Sequence, residues 1–312
     1  MENLEHGDTV IIIELTNNAY KKRNLIIKIP LFYMLLYSTW YMKKGIIILR
    51  NNSIKRIGGI IMTVEEKIIE YAKSKAEDIT LERVTIGVGY TGVKLSNGNG
   101  GAAYTFRNEL GHSCGVMPRP GSLKGTPAVE ALDWLTGNNL AARAVAMATA
   151  NALMNRGFKP GPELSAAVDC KEDDVVGMIG WFCPLVRKYQ GAKEFYIFEK
   201  NLNGIKEGGI EKILPSEEAF NILPKCNKVV LTATSFINGT ADGLLAACKE
   251  GAEVTVVGAS TPMCMDVLKD YGVTVLAGVE VTDADMLCTI LAEGGGGMDM
   301  KPATIKLLEI SK

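Results

Sequence analysis

The stretch TATSFINGT, residues 232–240, places hydroxyl, amide and glycine residues directly behind the apolar run KVVL. Its candidate ligand-binding residues are Thr234, Ser235, Asn238, Gly239 and Thr240. Hydroxyl and amide groups beside the free backbone N–H groups of a helix start can bind an anion or a polar ligand. The alternative is that Asn238 or Thr240 caps the next helix while Gly239 forms the turn. Because one cap accounts for a single residue, the pattern favours a ligand site.

The stretch GASTPMCMD, residues 258–266, repeats this chemistry after another apolar run. Gly258, Ser260 and Pro262 are its candidate binding residues. Ser or Thr before Pro is also an ordinary helix start, so a purely structural role stays open. Two stretches of the same chemistry, each behind an apolar run, favour a shared ligand.

Two carboxylates are candidate catalytic acids or bases, Glu199 and Glu293. Glu199 follows Gly177 by 22 residues, the spacing at which a Rossmann acid meets a ribose hydroxyl. The full GxGxxG is absent, so the sequence predicts against standard NAD or FAD binding and leaves Gly177 and Gly180 to a smaller ligand. Glu293 begins EGGGG, which fits either a ligand loop or a flexible turn.

A third glycine-containing stretch, GVGYTGV at residues 87–93, contributes the candidates Tyr90, Thr91 and Gly92. Glycine in a strand marks either the close approach of a ligand or backbone, or a simple bulge. Both interpretations stay open.

Metal ligands are sparse. His112 and Cys114 form the only neighbouring His/Cys pair, and a pair without partners is more typical of a loop than of a metal site. The seven cysteines are scattered without a CxxC motif, which indicates a reduced, cytoplasmic chain with mostly small buried thiols. The identity of any metal stays open, and a divalent ion on oxygen ligands is the predicted cofactor.

These residues need elements that hold them together. Apolar strands are predicted at 175–181, 194–200, 228–234, 252–258 and 273–279, with helices near 184–190, 240–250, 262–271 and 282–292. Strands alternating with helices predict a parallel sheet covered on both faces, a Rossmann-like doubly wound α/β domain over 174–312. Ligands bind such sheets beyond the carboxyl ends of the strands, where most of the candidates fall.

The preceding region predicts a small α+β domain over 62–158. A capped amphipathic helix at 62–78 starts with Thr63 and Glu66, followed by strands at 83–97 and 100–106 and an alanine-rich helix at 140–155. Residues 159–173 are rich in turn formers and predict a linker.

The first 61 residues differ from the rest. They carry nine Lys and Arg against four Asp and Glu, and they contain 13 Ile but one Ala. Gly58 and Gly59 precede Met62, as codons of a ribosome-binding site would precede a start, so we expect 1–61 to be a non-native or disordered leader. The alternative, a membrane anchor at 29–42, falls short of the roughly 20 residues that span a bilayer.

The composition excludes some classes of function. The chain of 312 residues has 47% hydrophobic residues, 22% charged residues and a net charge of -1, which is typical of a globular protein. It carries no long basic block, so we expect no nucleic-acid partner, and we expect no membrane partner.

Several stretches together, in this order, resemble the heavy-metal chelation domain family: GYTGV, ATANAL, VVGMIGWFCPLV, ILPSEEAF, LTATSFINGT, VVGASTPM and AEGGGG. The resemblance runs from about residue 63 to 310. It implies an enolase-N-terminal-like lid domain before the Rossmann-like domain, a site in the cleft between them, and a homodimer by analogy. The residues that it implies for the site are Thr91, Gly92, Gly177, Gly180, Glu199, Thr234, Asn238, Thr240, Ser260, Pro262 and Glu293.

Two functions remain in view. The first is a binding protein that holds a metal or a small metal complex in the interdomain cleft, with chelation through a small molecule favoured over clustered thiolates. The alternative is an enzyme acting on an anionic metabolite or nucleotide-like ligand at the same place.

Overall fold

The computed structural model describes residues 62–111, 115–200 and 208–311. The expected leader, 1–61, lies outside the described residues, and so does the pair His112 and Cys114. Within the described ranges, no helix has both the length and the apolar character needed to cross a membrane.

The first helix, α1, spans Val64–Lys73 and begins as the sequence predicts. Thr63 Oγ1 accepts the N–H of Glu66, and the Glu66 carboxylate accepts the N–H of Thr63, which completes a capping box. One face of the helix, including Ile68 and Ala72, is buried.

A three-stranded meander follows, formed by β1 (Leu81–Ile86), β2 (Tyr90–Leu95) and β3 (Gly100–Tyr104). The prediction of one strand over 83–97 is wrong, because the chain reverses between β1 and β2. A Cβ on Gly87 would lie 2.5 Å from the carbonyl oxygen of Leu291, so glycine is required where the hairpin turns. Alternation alone did not reveal this turn.

Two helices complete the N-terminal region, α2 (Ala128–Asp133) and α3 (Leu140–Met154). Nearly every residue of α3 is buried, and its alanines allow β3 to approach closely. A Cβ on Gly101 would lie 2.0 Å from the carbonyl oxygen of Ala148. The small residues of both elements therefore form one tightly packed unit.

The C-terminal region contains seven strands, all five predicted strands and two more. They are β4 (Val175–Ile179), β5 (Glu194–Glu199), β6 (Glu211–Pro215), β7 (Lys228–Thr232), β8 (Glu253–Val257), β9 (Val275–Val281) and β10 (Thr304–Ile310). Strands β6 and β10 have no counterpart in the prediction. Each pairs with a single neighbouring strand and has mostly half-buried or exposed residues, so neither shows the apolar run of a central strand.

The connecting helices are mostly short. They are α4 (Leu164–Ala167), α5 (Cys183–Lys188), α6 (Ala219–Ile222), α7 (Thr234–Asn238), α8 (Ala241–Ala247), α9 (Met265–Leu268) and α10 (Ala284–Ala292). Helix α4 falls inside the predicted linker, and α7 occupies the stretch that was expected to be strand end and loop.

The sheet confirms the α/β fold class. Six strands are parallel in the order β6-β5-β4-β7-β8-β9, which is the strand order of Rossmann sheets. Both faces are covered, because Val229 and Leu231 of β7 belong to one apolar cluster and Val230 to another. Strand β10 pairs antiparallel with β9, and β3 joins β9 through Gly100 and Val281.

One amide links the N-terminal region to the C-terminal strands. The Asn155 side chain is buried and donates to the carbonyls of Thr261 and Val279, while its oxygen accepts the N–H of Met263. Residues from Met62 onward form one compact unit, and the division at 159–173 stays a prediction.

Replacing Asn155 with Ala should lower the free energy of unfolding by about 3 kcal/mol or more. Three backbone groups, two of them in buried residues, would lose this partner, and each such loss in a buried place costs about 1–3 kcal/mol. Urea denaturation followed by circular dichroism measures the change. The control is Asn221→Ala, since Asn221 is exposed and its side chain donates to the exposed Glu218 carboxylate. Equal stability of the two variants would contradict the role of Asn155.

Candidate ligand-binding site

Three central strands of the parallel sheet end at the same level. Ile179 of β4 is in register with Phe198 of β5 and with Leu231 of β7. Gly180 comes next, and its N–H donates to the carbonyl of Phe198 at 2.9 Å. With strands about 4.8 Å apart, Glu199 and Thr232 flank Gly180 on either side. This is the point at which the strand order reverses, where doubly wound sheets bind ligands.

Gly180 leaves the space between its neighbours without a side chain. Its φ is +88°, a value that favours glycine. A Cβ here would also lie 3.4 Å from Cβ of Thr232. The strand exit therefore turns sharply between Glu199 and Thr232.

The TATSFINGT stretch turns out to be a short helix rather than an open loop. β7 ends at Thr232, and Ser235 of α7 is buried and donates its hydroxyl to the Thr232 carbonyl at 2.8 Å. The hydroxyl of Thr234 lies 3.1 Å from that of Thr232 and is half-buried at the strand exit. Ser235 thus stabilises the turn, while Thr234 lies at the edge beside Gly180.

Asn238, Gly239 and Thr240 form the turn from α7 to α8. The Asn238 amide oxygen accepts the N–H of Thr240 at 3.1 Å and its hydroxyl at 2.7 Å. Gly239 has a φ of +76°. Thr240 precedes α8 without a side-chain cap, so its hydroxyl orders the turn instead of the helix start.

A second cluster of predicted residues forms around Tyr104 of β3. The Tyr104 N–H donates to the hydroxyl of Ser260, and its ring packs edge-on against Tyr90 with 5.7 Å between ring centroids. Gly297 lies against the Tyr90 hydroxyl, since a Cβ on this glycine would be 3.2 Å away. Burial raises the pKa of Tyr90, so its phenol stays neutral. Gly258 provides the preceding turn with a φ of +126°.

Four other candidates have packing roles. The hydroxyl of Thr91 is buried, 2.8 Å from that of Thr105. A Cβ on Gly92 would lie 2.8 Å from Leu291, and a Cβ on Gly177 would lie 2.8 Å from Leu223, so both glycines admit neighbouring side chains. The fourth residue, Pro262, is buried.

The two candidate carboxylates lie in different parts of the edge. Glu199 ends β5 and is half-buried, with its Oε1 accepting the N–H of Lys200 at 2.8 Å. Glu293 is exposed at the end of α10, the helix that follows β9. Since β4, β7 and β8 lie between β5 and β9, the two carboxylates are not neighbours.

The chain after β3 crosses this edge. Tyr104 binds Ser260 beyond β8, and the Glu109 carboxylate pairs with Lys200 beyond β5 at 2.7 Å. Three strand spacings separate β8 from β5, about 14 Å. Residues 106–109 form a turn in which the Glu109 N–H donates to the Phe106 carbonyl, and the long side chains of Glu109 and Lys200 bridge the rest of the distance. Residues 105–109, here named the crossing segment, therefore pass over the ends of β7 and β4.

The crossing segment carries Arg107, a residue that the motif search missed. Arg107 is exposed and is the cation of a segment that also holds the buried Phe106. No local pattern points to it, because its position over the sheet edge depends on the contacts of Tyr104 and Glu109 with strands far along the chain.

Thiolate ligation has little support in the described part of the chain. Cys226, Cys264 and Cys288 are buried, and burial raises the pKa of Cys226 to about 12 and that of Cys248 to about 11. Across residues 62–111, 115–200 and 208–311, no three His, Cys, Asp or Glu side chains are grouped so that they could hold a metal ion.

A separate depression of about 450 Å³ lies between α1 and α9. None of the predicted site residues line it. Its lining residues are Lys67, Glu70, Tyr71, Ser74, Asp266, Val267, Asp270 and Tyr271.

Comparison with known proteins adds to this geometry. Two family profiles, both described as "putative heavy-metal chelation", match residues 69–154 and 163–309. An uncharacterised protein of Methanocaldococcus jannaschii is 23% identical over 257 residues, covering 79% of this chain and 96% of the relative.

Two crystal structures of proteins of unknown function are similar. The Pyrococcus horikoshii protein has a TM-score of 0.65 at 24% identity and covers 80% of this chain and 100% of its own. The Desulfitobacterium hafniense protein has a TM-score of 0.64 at 21% identity, with coverage of 80% and 98%. These likenesses show the shared fold.

Fold and strand exits together define an α/β protein with a parallel-dominated sheet whose central strands end at one level. The chain belongs to the family described as "putative heavy-metal chelation", whose two profiles match most of the described residues.

Thiol labelling should follow burial. Among the six cysteines of the described residues, iodoacetamide at pH 8 should alkylate the exposed Cys183 first in the folded protein, while Cys226, Cys264 and Cys288 should react only after denaturation. Peptide mass spectrometry measures the order, and Cys183→Ser is the control that should remove the fast phase among these six. Labelling of Cys264 as fast as Cys183 would contradict the structure.

Proposed function

We propose that the protein binds a small anionic ligand that carries a metal ion, at the ends of β4, β5 and β7 beneath the crossing segment. The observation that carries this proposal is the level ending of these three strands under residues 105–109. The ligand would lie between Gly180, Thr234 and Glu199.

Charge and hydrogen-bonding capacity support a small polar ligand. Arg107 brings a positive charge to the edge, and Lys200 brings a second that pairs with Glu109. Glu199 offers a carboxylate and Thr234 a hydroxyl. An anionic group would bind Arg107, and polar atoms of the same ligand would bind Thr234 and Glu199.

The metal would be held mainly by the ligand's own atoms. Soft heavy metals prefer thiolates, and burial disfavours the thiolate form of Cys226, Cys248 and Cys264. The half-buried Glu199 can add an oxygen ligand. The family description supports a role in handling metal, and these donors suit a metal complex better than a bare soft ion.

The finer architecture forms part of the proposal. The strand order supports a Rossmann-like domain over 174–312, and the sequence resemblance supports an enolase-N-terminal-like lid over 62–158. A cytoplasmic location, a homodimer and the absence of a nucleic-acid partner are proposed with it, on the grounds of free thiols, resemblance and net charge.

The test is native mass spectrometry with elemental analysis on the full chain, purified without chelators or an affinity tag. We expect a bound small molecule and a metal in equal amounts, both released on denaturation. Chain without any bound molecule under these conditions would contradict the proposal.

Variants localise the ligand. Glu199→Gln and Arg107→Gln should each lower occupancy about tenfold or more, corresponding to about 1.4 kcal/mol of lost binding free energy. The control is Glu217→Gln, which removes an exposed carboxylate beyond β6. Unchanged occupancy in both site variants would remove this edge from the account, whatever ligand is found.

A further inference from the structure

Glu65 is a buried acid that the proposed site does not use. It lies in the first turn of α1 and is 5% exposed. Its Oε1 has no hydrogen-bond partner among the described residues. A buried polar atom without a partner is rare in native proteins and often marks a functional group.

Charged groups from several elements approach Glu65. Asp242 of α8 accepts the N–H of Val64 at 2.9 Å and, next to burial itself, raises the pKa of Glu65. Arg143 of α3 has the opposite effect, and Glu66 on the same helix a small raising one. Tyr271, after α9, interacts with both Glu65 and Asp242.

Two other acids packed near α1 have partners elsewhere, and a third, Asp270 after α9, acts on Tyr271. Asp133, at the end of α2, pairs with Lys73 at the far end of α1. Asp266 of α9 pairs with Lys269. Among the described residues, Arg143 is the cation whose charge acts on Glu65. Burial lowers the pKa of Arg143, and the charge of Glu65 in turn opposes this effect.

Burial is the main cause of a pKa of about 7 for Glu65, with Asp242 as the second cause. The backbone N–H and Arg143 lower the pKa but do not offset burial. The carboxyl group consequently changes charge near neutral pH instead of near 4.5.

In this structure the guanidinium of Arg143 binds the end of α7. Its Nη2 donates to the Phe236 carbonyl at 3.1 Å, its Nε donates to the Ile237 carbonyl, and its Nη1 donates to that of Gly137 at 3.2 Å. Gly239 lies directly beside the guanidinium, since a Cβ there would be 3.3 Å from Nη2. A side chain of α3 thus positions the turn at residues 238–240.

We propose that Glu65 and Arg143 form a proton-controlled switch on this turn. With Glu65 protonated, Arg143 stays on the α7 carbonyls. With Glu65 ionised, the guanidinium moves to the buried carboxylate and leaves the turn less restrained. The driving force is the charge-assisted hydrogen bond that the guanidinium would give to Glu65 Oε1, the carboxylate oxygen without a partner among the described residues.

The switch would regulate the proposed ligand site, because the turn follows Thr234 directly. Only this effect on ligand rests on the proposed function. The movement of Arg143 is a property of the chain and can be measured without any ligand.

The free energy of unfolding depends on the same protonation of Glu65. The folded pKa of about 7 exceeds the ordinary value of 4.5, so the folded state binds more protons between these values. Glu65 therefore contributes most to the free energy of unfolding below pH 4.5. This contribution falls as pH rises from about 4.5 to about 7.

Hydrogen exchange with mass spectrometry on the full chain tests the switch from pH 5 to pH 8, after correction for intrinsic rates. Protection of the peptide covering residues 234–242 should fall about fiftyfold between pH 5 and pH 7 and less than about twofold between pH 7 and pH 8. Exchange follows the ionised fraction of Glu65, which for a pKa of about 7 rises from about 1% to about 50% and then to about 90%. The variant E65Q should keep its protection at pH 8. The control E70Q, which removes an exposed carboxylate of α1 paired with Lys67, should behave as the natural chain does.

Unchanged protection across this range in the natural chain, or the same fall in E65Q, would overturn the proposal. If E65Q does not fold, the pKa of Glu65 can be measured in the natural chain from the carbon NMR shift of its carboxyl group as a function of pH. A titration midpoint near 4.5 would also overturn the proposal. A pH-dependent turn together with ligand occupancy that ignores pH would leave the switch in place and count against the proposed ligand site.

Discussion

Hydrogen bonds from the buried side chain of Asn155 are the constraint on which the arrangement of the site depends. This amide joins the end of α3 to the backbone beyond β8 and within β9. Asn151, one turn earlier, donates to the Ala102 carbonyl of β3. Because α3 and β3 are also in close contact at Gly101, the position of α3 determines where the chain leaves β3. The crossing segment over the sheet edge follows from that position.

The same packing decides which groups remain chemically available. Burial raises the pKa of the thiols of Cys226 and Cys248, so both stay protonated, whereas the strand exits and the crossing segment present carboxylate, hydroxyl and guanidinium groups. A ligand at the sheet edge would therefore contact oxygen and nitrogen groups rather than the thiols of the core. The proposal that the metal arrives within a small ligand rests on this difference.

Sequence patterns predict those features of the fold that depend on interactions between residues close together in the chain. The Thr63 capping box and the apolar run of β7 are visible in sequence because each uses adjacent residues. Strand β10 was missed, since half-buried strands lack a continuous apolar run. The glycine pattern predicts a ligand at Gly92 and Gly177, but in the structure the side chains of Leu291 and Leu223 fill their space. Such contacts join residues far apart in the chain, so no window of sequence contains them.

The most direct measurement is a crystal structure of the full chain purified without chelators, with anomalous data to locate any metal. The account predicts ligand density bounded by Gly180, Glu199, Thr234 and the crossing segment, with the metal held mainly by ligand atoms. Metal coordinated by protein thiolates, or ligand density confined to the depression between α1 and α9, would contradict it.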